Sequence, residues 1–459
     1  MTKKSDNSNA NTVKTVICAV LTVSLVVMVL GIVYMLNLSQ SLVPFDLSTI
    51  TAEKTEYSID ITRFILPEFI GITYDGERLG VSGSANILAE IYRELSGVIS
   101  EVVKSDCLIE RSSTDWRLLA ESDISVYVRY HSELPECVVG VFADASRGDE
   151  TDRDTLSAYI YEMYIIPNTD GSGKIDIAVK SKSGEAKFYT GTTESILTGE
   201  STEKMLNSYR ADMYAFKMSG GQPVFTDNIA TRNILITGNT GALIQTEMTN
   251  EEKSSLMRFF ALNPDKLLSS HVDEEGMDSY VDTHGALYIR ESGVEYNSAS
   301  DGGIGLGDFI GYSEEPSLAE YIKASISIIT YFRSLNRNIT GGDGEIYLDS
   351  VTSSAGKVTL EFMYAFNGIR ICDMEPAFTA EFENGILRKM KLYSVSVRNL
   401  GERHILMLED SFISVMEDEG KHVARTSVVY RSDFQSESVS AEWQCVYNYK
   451  EEYGTQKNT

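Results

Sequence analysis

From Val16 to Leu36 the chain reads VICAVLTVSLVVMVLGIVYML, 21 residues without a charge. About 20 apolar residues, at 1.5 Å per residue, span the hydrocarbon core of a bilayer, and a helix satisfies every backbone polar group there internally. A cleaved signal peptide would carry a shorter apolar region of ~7–15 residues and a small-x-small cleavage site. This run is longer and exits into Asn37-Leu38-Ser39-Gln40 without such a site. The expectation is an uncleaved transmembrane anchor over residues 15–36. Lys3, Lys4 and Lys14 lie before it against Asp6, whereas Asp46, Glu53 and Glu56 follow it against Lys54. The positive-inside rule therefore puts the tail 1–14 in the cytoplasm and the bulk of the chain outside the cell membrane. Ser24 and Gly31, seven apart, share one face of the helix and are the candidate partner-binding seam, because small residues let helices approach closely in lipid.

The remainder of the 459 residues must then fold as an exterior region. The net charge is −27 overall; three lysines and one aspartate give 1–14 a net +2, so 15–459 carry −29. Phosphate contacts need clustered Lys and Arg, so nucleic acid is excluded as a partner. Length suggests about three exterior units. Residues 37–64 read as a juxtamembrane connector, followed by modules over 65–210, 211–312 and 313–459. In the first, a strand-like run Phe64–Tyr74 precedes the helix Ser84–Lys104, whose apolar stripe has helical spacing. Strands are expected at Ile124–Tyr130, Cys137–Phe142, Ala158–Ile166, Lys174–Val179 and Ala186–Thr190, then a helix Thr192–Tyr209. In the second, strands near Asp212–Met218 and Ile229–Ile236 precede a helix Asn250–Leu262 with a Thr249/Glu252 capping box. Strands Gly285–Arg290 and Gly293–Tyr296 lead to a Gly-rich stretch, 301–308, read as a flexible interdomain loop.

The third module is the most legible. Pro316 suits the first turn of a helix Glu315–Leu335. Val358, Leu360, Phe362, Tyr364 and Phe366 alternate as a half-buried strand, and Asn367-Gly368 and Asn384-Gly385 mark hairpin turns. A helix Ile405–Glu419 places Ile405, Leu408, Phe412 and Val415 on one face, and strands Val423–Arg431 and Val439–Tyr449 close the chain. The fold class is α+β, antiparallel sheets flanked by helices.

Motifs for chemistry are absent or incomplete. Asn168 to Asp176 imitates a calcium loop, but Val179 stands where a bidentate Glu belongs, and the flanking segment reads as strand. The glycines of 302–307 do not match a dinucleotide fingerprint. His131, His271, His284, His404 and His422 show no metal-ligand spacing, and there is no GxSxG or SxxK. No cofactor, metal or catalytic residue is nominated, and the chain reads as a non-enzyme. Cys107, Cys137, Cys372 and Cys445 permit disulfides in an exterior region and fit equally well as four thiols.

Four segments carry a family resemblance. His284-Gly-Ala-Leu-Tyr-Ile-Arg-Glu-Ser-Gly293-Val-Glu-Tyr296 looks like the middle-domain hairpin of YycH proteins. Leu360-Glu-Phe-Met-Tyr-Ala-Phe-Asn-Gly-Ile-Arg-Ile371, with Phe378–Phe382 and Asn384-Gly-Ile-Leu-Arg-Lys-Met390, resembles the last-domain meander that YycH shares with YycI. With the short tail and single anchor, the resemblance covers roughly 1–40 and 280–450. It implies an accessory regulator of a cell-wall, WalK-type two-component system. Such a protein contacts a sensor histidine kinase, partly through transmembrane helices, and can pair with a second YycH/YycI-type regulator. It supplies no catalytic residues. The alternatives are a membrane-anchored wall hydrolase, or an extracytoplasmic scaffold or ligand-sensing module.

Overall fold

The computed structural model describes residues 61–104, 109–110, 116–145, 159–167, 174–182, 186–192, 197–219, 221–238, 249–265, 267, 269–272, 277–290, 292–299, 302–310, 316–335, 340–432, 436 and 438–447. All fall within one compact unit, Tyr57–Thr459. The run Val16–Leu36, with Ser24 and Gly31, lies outside them, as do the calcium-like loop residues 168–173 and Cys107. Among the described residues no helix is long and apolar enough to cross a membrane.

Nine strands build the first sheet: β1 Pro67–Tyr74, β2 Glu77–Val81, β3 Ile109–Glu110, β4 Ile124–Pro135, β5 Tyr159–Pro167, β6 Lys174–Lys180, β7 Ala186–Thr192, β8 Tyr214–Ser219 and β9 Gln222–Phe225. Their order is β3-β7-β6-β5-β4-β1-β2-β8-β9, antiparallel throughout. Helix α1, Ala85–Lys104, packs on one face, with Leu88, Ile91, Tyr92, Leu95 and Ile99 fully buried. Helix α2, Glu136–Ala145, packs beside it. Here the sequence reading is corrected: Cys137–Phe142 is helix, not strand. A short β-branched run fits either element, and Val138 and Val139 gain more by burial as a helix beside α1 than β-propensity offers. Helix α3, Gly199–Tyr209, is shorter than expected because the Thr198/Ser201 capping box sets its start.

Strand β10, Ala230–Gly238, lies outside the first sheet, and α4, Asn250–Phe259, keeps the Thr249/Glu252 box. Then come β11 Ser269–Val272, β12 Asp278–Val281, β13 Gly285–Arg290, β14 Gly293–Ser298, β15 Ile304–Gly305 and helix α5, Leu318–Leu335. After α5 follow β16 Thr340–Gly342, β17 Glu345–Ser354, β18 Lys357–Phe366, β19 Ile369–Cys372, β20 Phe378–Glu383, β21 Ile386–Tyr393 and β22 Val395–Ile405. Helix α6, Glu409–Asp418, precedes β23 Val423–Arg431 and β24 Ala441–Tyr447. Three of these make a small sheet, β10-β22-β16. The rest form a twelve-stranded sheet with the path β11-β12-β13-β14-β21-β20-β18-β19-β23-β24, and β15 and β17 pairing with β21 and β18. Strands from the sequence segments 211–312 and 313–459 meet in it at β14 and β21.

That meeting explains two details. Gly293 has φ +147°, and a Cβ there would sit 1.8 Å from the Leu392 carbonyl oxygen, so only glycine admits β21 at this register. The stretch expected as a loose connector is, over its described residues 302–308, docked instead: Ile304 pairs with Leu387, and Ile304 and Leu306 are buried. Helix α5 begins at Leu318 with Ser317 and Glu320 in reciprocal capping contacts, which leaves Pro316 before the cap rather than inside the first turn. Helix α6 also starts late. β22 holds Ile405 opposite Ala230, and the chain turns into the helix only at Glu409.

Candidate functional site

The faces of β4 show how the two large sheets meet. Side chains alternate across a strand, so Val126, Val128 and Tyr130 lie on one face. There the Tyr130 hydroxyl meets that of Tyr92 from α1, 3.2 Å away. Tyr127, Arg129 and His131 lie on the other face, which a lone sheet would offer to water. All three are buried. The His131 ring packs on Tyr347 of β17, centroids 4.6 Å apart, so the twelve-stranded sheet covers this face.

A polar layer fills the seam. Arg129 Nη2 contacts Glu68 Oε1 of β1 at 3.2 Å, and its guanidinium lies over the Phe69 ring at 5.6 Å. From β23, Arg425 stacks over Tyr161 of β5 at 4.5 Å. Arg370 of β19 pairs with Asp349 of β17 at 3.4 Å. Glu162 accepts from Gln222 Nε2 at 2.8 Å and faces Lys180 at 3.4 Å. Burial alone would raise the Glu68 carboxyl, but Arg129 and then the other nearby cations, with a Ser427 hydrogen bond, hold it below the usual carboxylate range. Burial pushes His131 down to about 4, so it is neutral at pH 7. The Nε atoms of Arg129, Arg370 and Arg425, His131 Nε2 and the Tyr347 hydroxyl have no hydrogen-bond partner among the described residues.

The seam is also tied from outside. Asn367, in the β18–β19 turn, accepts from Ala85 N at 3.4 Å and donates to the Gly83 carbonyl, so a hairpin of one sheet caps a helix of the other. Asn367 and Gly368 have φ of 54° and 77°, the left-handed pair that the Asn-Gly signal predicts for a tight hairpin. Beneath the turn Glu345 accepts from Gly368 N at 3.4 Å. Burial pushes its carboxyl up to about 7, against the opposing effect of that N–H and of Arg333.

The carboxylates of this layer are thus each engaged by a cation or a donor rather than set against one another as an acid/base pair. Cys372 and Cys445 are free thiols. Among the described residues no group of three or more His, Cys, Asp or Glu is placed to hold a metal. Away from the seam, a cavity of about 690 Å³ at the rim of the first sheet is lined by Tyr74, Asp75, Ser122, Asp123, Ile124, Ile166, Pro167 and Asp176. Asp176, from the calcium-like stretch, accepts there from the Thr190 hydroxyl at 2.7 Å.

The exposed counterpart is α6. Its sole buried residue is Glu409, whose carboxylate takes the Phe225 N–H at 2.6 Å and the Thr426 hydroxyl. Phe412 stacks on Trp443, and Met416 receives the Tyr447 hydroxyl at 3.6 Å. Ile405, Met407, Leu408 and Val415 stay 38–54% exposed. Sequence reasoning put Ile405, Leu408, Phe412 and Val415 on one apolar face; Phe412 packs on Trp443, while the other three are exposed among the described residues. It missed Glu68, Arg129 and Tyr347 altogether, since a charged residue alternating with valines reads as a solvated face.

Two large, mostly antiparallel sheets joined face to face and flanked by helices make an α+β fold with a solved counterpart. The crystal structure of YycH from Bacillus subtilis is similar over 84% of this chain and 95% of that chain, with a TM-score of 0.50 and 11% sequence identity. At that identity the likeness is one of fold, and the YycH resemblance of the hairpin and meander segments stands at that level. No protein-family model and no curated protein matches the chain.

Proposed function

We propose that this chain is a non-catalytic regulator, anchored in the cell membrane by residues 15–36 with its N-terminus cytoplasmic. It tunes a sensor histidine kinase of a cell-envelope two-component system, alone or with a second YycH/YycI-type protein. The observation that carries this is the YycH-like fold, which extends over 95% of that chain. The uncharged N-terminal run and the paired, enclosed state of the seam carboxylates support it. Crosslinked membranes should yield the histidine kinase on purification of the full chain, and Ser24→Leu/Gly31→Leu should weaken that recovery. Recovery of no kinase, with unchanged wall-stress signalling in a deletion strain, overturns the reading.

One observation favours a second reading, a wall hydrolase: Asp75, Asp123 and Asp176 line one cavity. Hydrolysis of wall polymer by the full chain, lost in Asp123→Asn, would establish it.

A further inference from the structure

We propose that the seam between the two large sheets binds a small phosphate-type oxyanion through Arg129, His131, Tyr347, Arg370 and Arg425. The inference goes beyond the regulatory reading and does not rest on it.

Both sheets contribute. Strand β4 supplies Arg129 and His131, β17 Tyr347, β19 Arg370 and β23 Arg425, around Glu68 of β1. Glu68 lies within electrostatic reach of all five. Arg129, His131 and Tyr347 are each more than nine-tenths buried, and the His131 ring rests on Tyr347 at 4.6 Å.

The chain answers these groups only in part. Arg129 gives Nη2 to Glu68, and Arg370 faces Asp349 through Nη1. Arg425 lies on the Tyr161 ring and has no ion pair among the described residues. The buried Nε atoms of all three arginines, His131 Nε2 and the Tyr347 hydroxyl are left over. In one tautomer of the neutral His131 ring, Nε2 is a donor like the rest. Buried donors without acceptors are costly, and so many in one place are unusual.

The charges leave a remainder too. Glu162 answers Lys180, and Glu133 lies beside Lys182. Glu409 takes the Phe225 N–H and the Thr426 hydroxyl, and burial raises its carboxyl toward the neutral form. Three guanidinium groups then face the two carboxylates of Glu68 and Asp349. Water would accept from the N–H groups but brings no charge to the third guanidinium. A halide brings charge at a single point. The Nε/Nη edge of an arginine is shaped for two oxygens of one group, and a phosphate presents such pairs on several sides, where a carboxylate presents one. Lys182, exposed and over the Tyr161 ring at 5.2 Å, marks where the seam meets solvent.

The test uses the full chain in dodecyl maltoside, with inorganic phosphate, chloride or methyl phosphate at matched ionic strength. Inorganic phosphate should raise the thermal midpoint saturably, and chloride should not. Arg425→Gln, which breaks no ion pair among the described residues, should weaken phosphate binding about tenfold by isothermal titration. Tyr347→Phe keeps the ring on His131 and removes one donor. It should weaken binding severalfold without lowering the phosphate-free midpoint, and it decides the matter if Arg425→Gln fails to fold. Arg398→Gln, exposed on the small sheet, should bind as the unsubstituted chain does. Equal midpoints in phosphate and chloride overturn the proposal. So does unchanged affinity in both seam variants, or an equal loss in Arg398→Gln. Competition by methyl phosphate assigns the site to a phosphoryl group on a larger molecule, and binding of inorganic phosphate alone assigns it to the free ion. Binding is read on this chain by itself, so failure to recover a kinase would leave the site standing.

Discussion

Between the two large sheets Glu68 and Arg129 are buried, with Arg370 and Arg425 half-buried beside tyrosines, while Met407, Leu408 and Val415, in and just before α6, face water. The seam puts charge where hydrophobic burial would be stronger, and the helix leaves hydrophobe where charge would be more soluble. Their difference lies in partners. Seam carboxylates find theirs inside the chain, which fixes how one sheet sits on the other. The α6 side chains have theirs, among the described residues, on one side only.

The largest effect should follow from leaving a seam charge alone. Arg129→Met strands Glu68 in a dry environment, at a cost of about 3–5 kcal/mol in denaturant unfolding. Adding Glu68→Leu should return much of that loss, because removal of both charges avoids an unpaired one. If the single variant costs nothing, the seam is wetter than its burial indicates, and the comparison fails at its inner half.

Titration sharpens the same contrast. Glu345 sits at about 7 in the folded chain against 4.5 for a free glutamate. The folded form holds more protons between those values, so the contribution is full below about 4.5 and is lost as pH rises through about 7. Glu345→Gln should therefore stabilise at pH 8 by about 2–3 kcal/mol, an upper figure given its partial exposure, and change little at pH 4. His131, pushed down from 6.5 to about 4, works at the opposite end. It binds its proton more weakly when folded, so its contribution is present above 6.5 and is lost as pH falls through about 4. His131→Phe should flatten that acid limb. Thermal midpoints from pH 4 to pH 8 check both variants.

A smaller loss is expected at the turn that ties the sheets. Asn367→Ala removes the cap on α1 and puts a Cβ-bearing residue of low left-handed preference at φ 54°, for about 1–2 kcal/mol. Asn367→Gly keeps the turn and loses only the cap, so it should cost less; denaturant midpoints separate the two contributions. The smallest effect belongs to the exposed half. Leu408→Ser/Val415→Ser should move stability by no more than about 0.5 kcal/mol.

Much of this fold is legible in the residues. The stripe of α1 and the Thr249/Glu252 box each combine a period with a local stop or start signal, and the structure keeps them; β18 forms as expected but is half-buried only in its first half, since Met363 and Ala365 are buried as well as Phe362, Tyr364 and Phe366. The paired Asn-Gly turns adopt the expected positive φ values. Where tertiary cover decides, the local pattern is silent or misleads. Cys137–Phe142 has strand composition but lies beside α1 as helix, and Gly302–Gly307 looks mobile until β21 supplies a pairing edge. The seam is illegible for the same reason. Arg129 and His131 occupy the polar phase of an alternating strand, and a second sheet from more than 200 residues away turns that phase inward.

Kinase autophosphorylation in membranes with and without the full chain tests the central claim most directly. The account predicts a changed rate when the chain is present, weakened by Ser24→Leu/Gly31→Leu while the protein's thermal midpoint stays the same. Identical rates with and without the chain would contradict it.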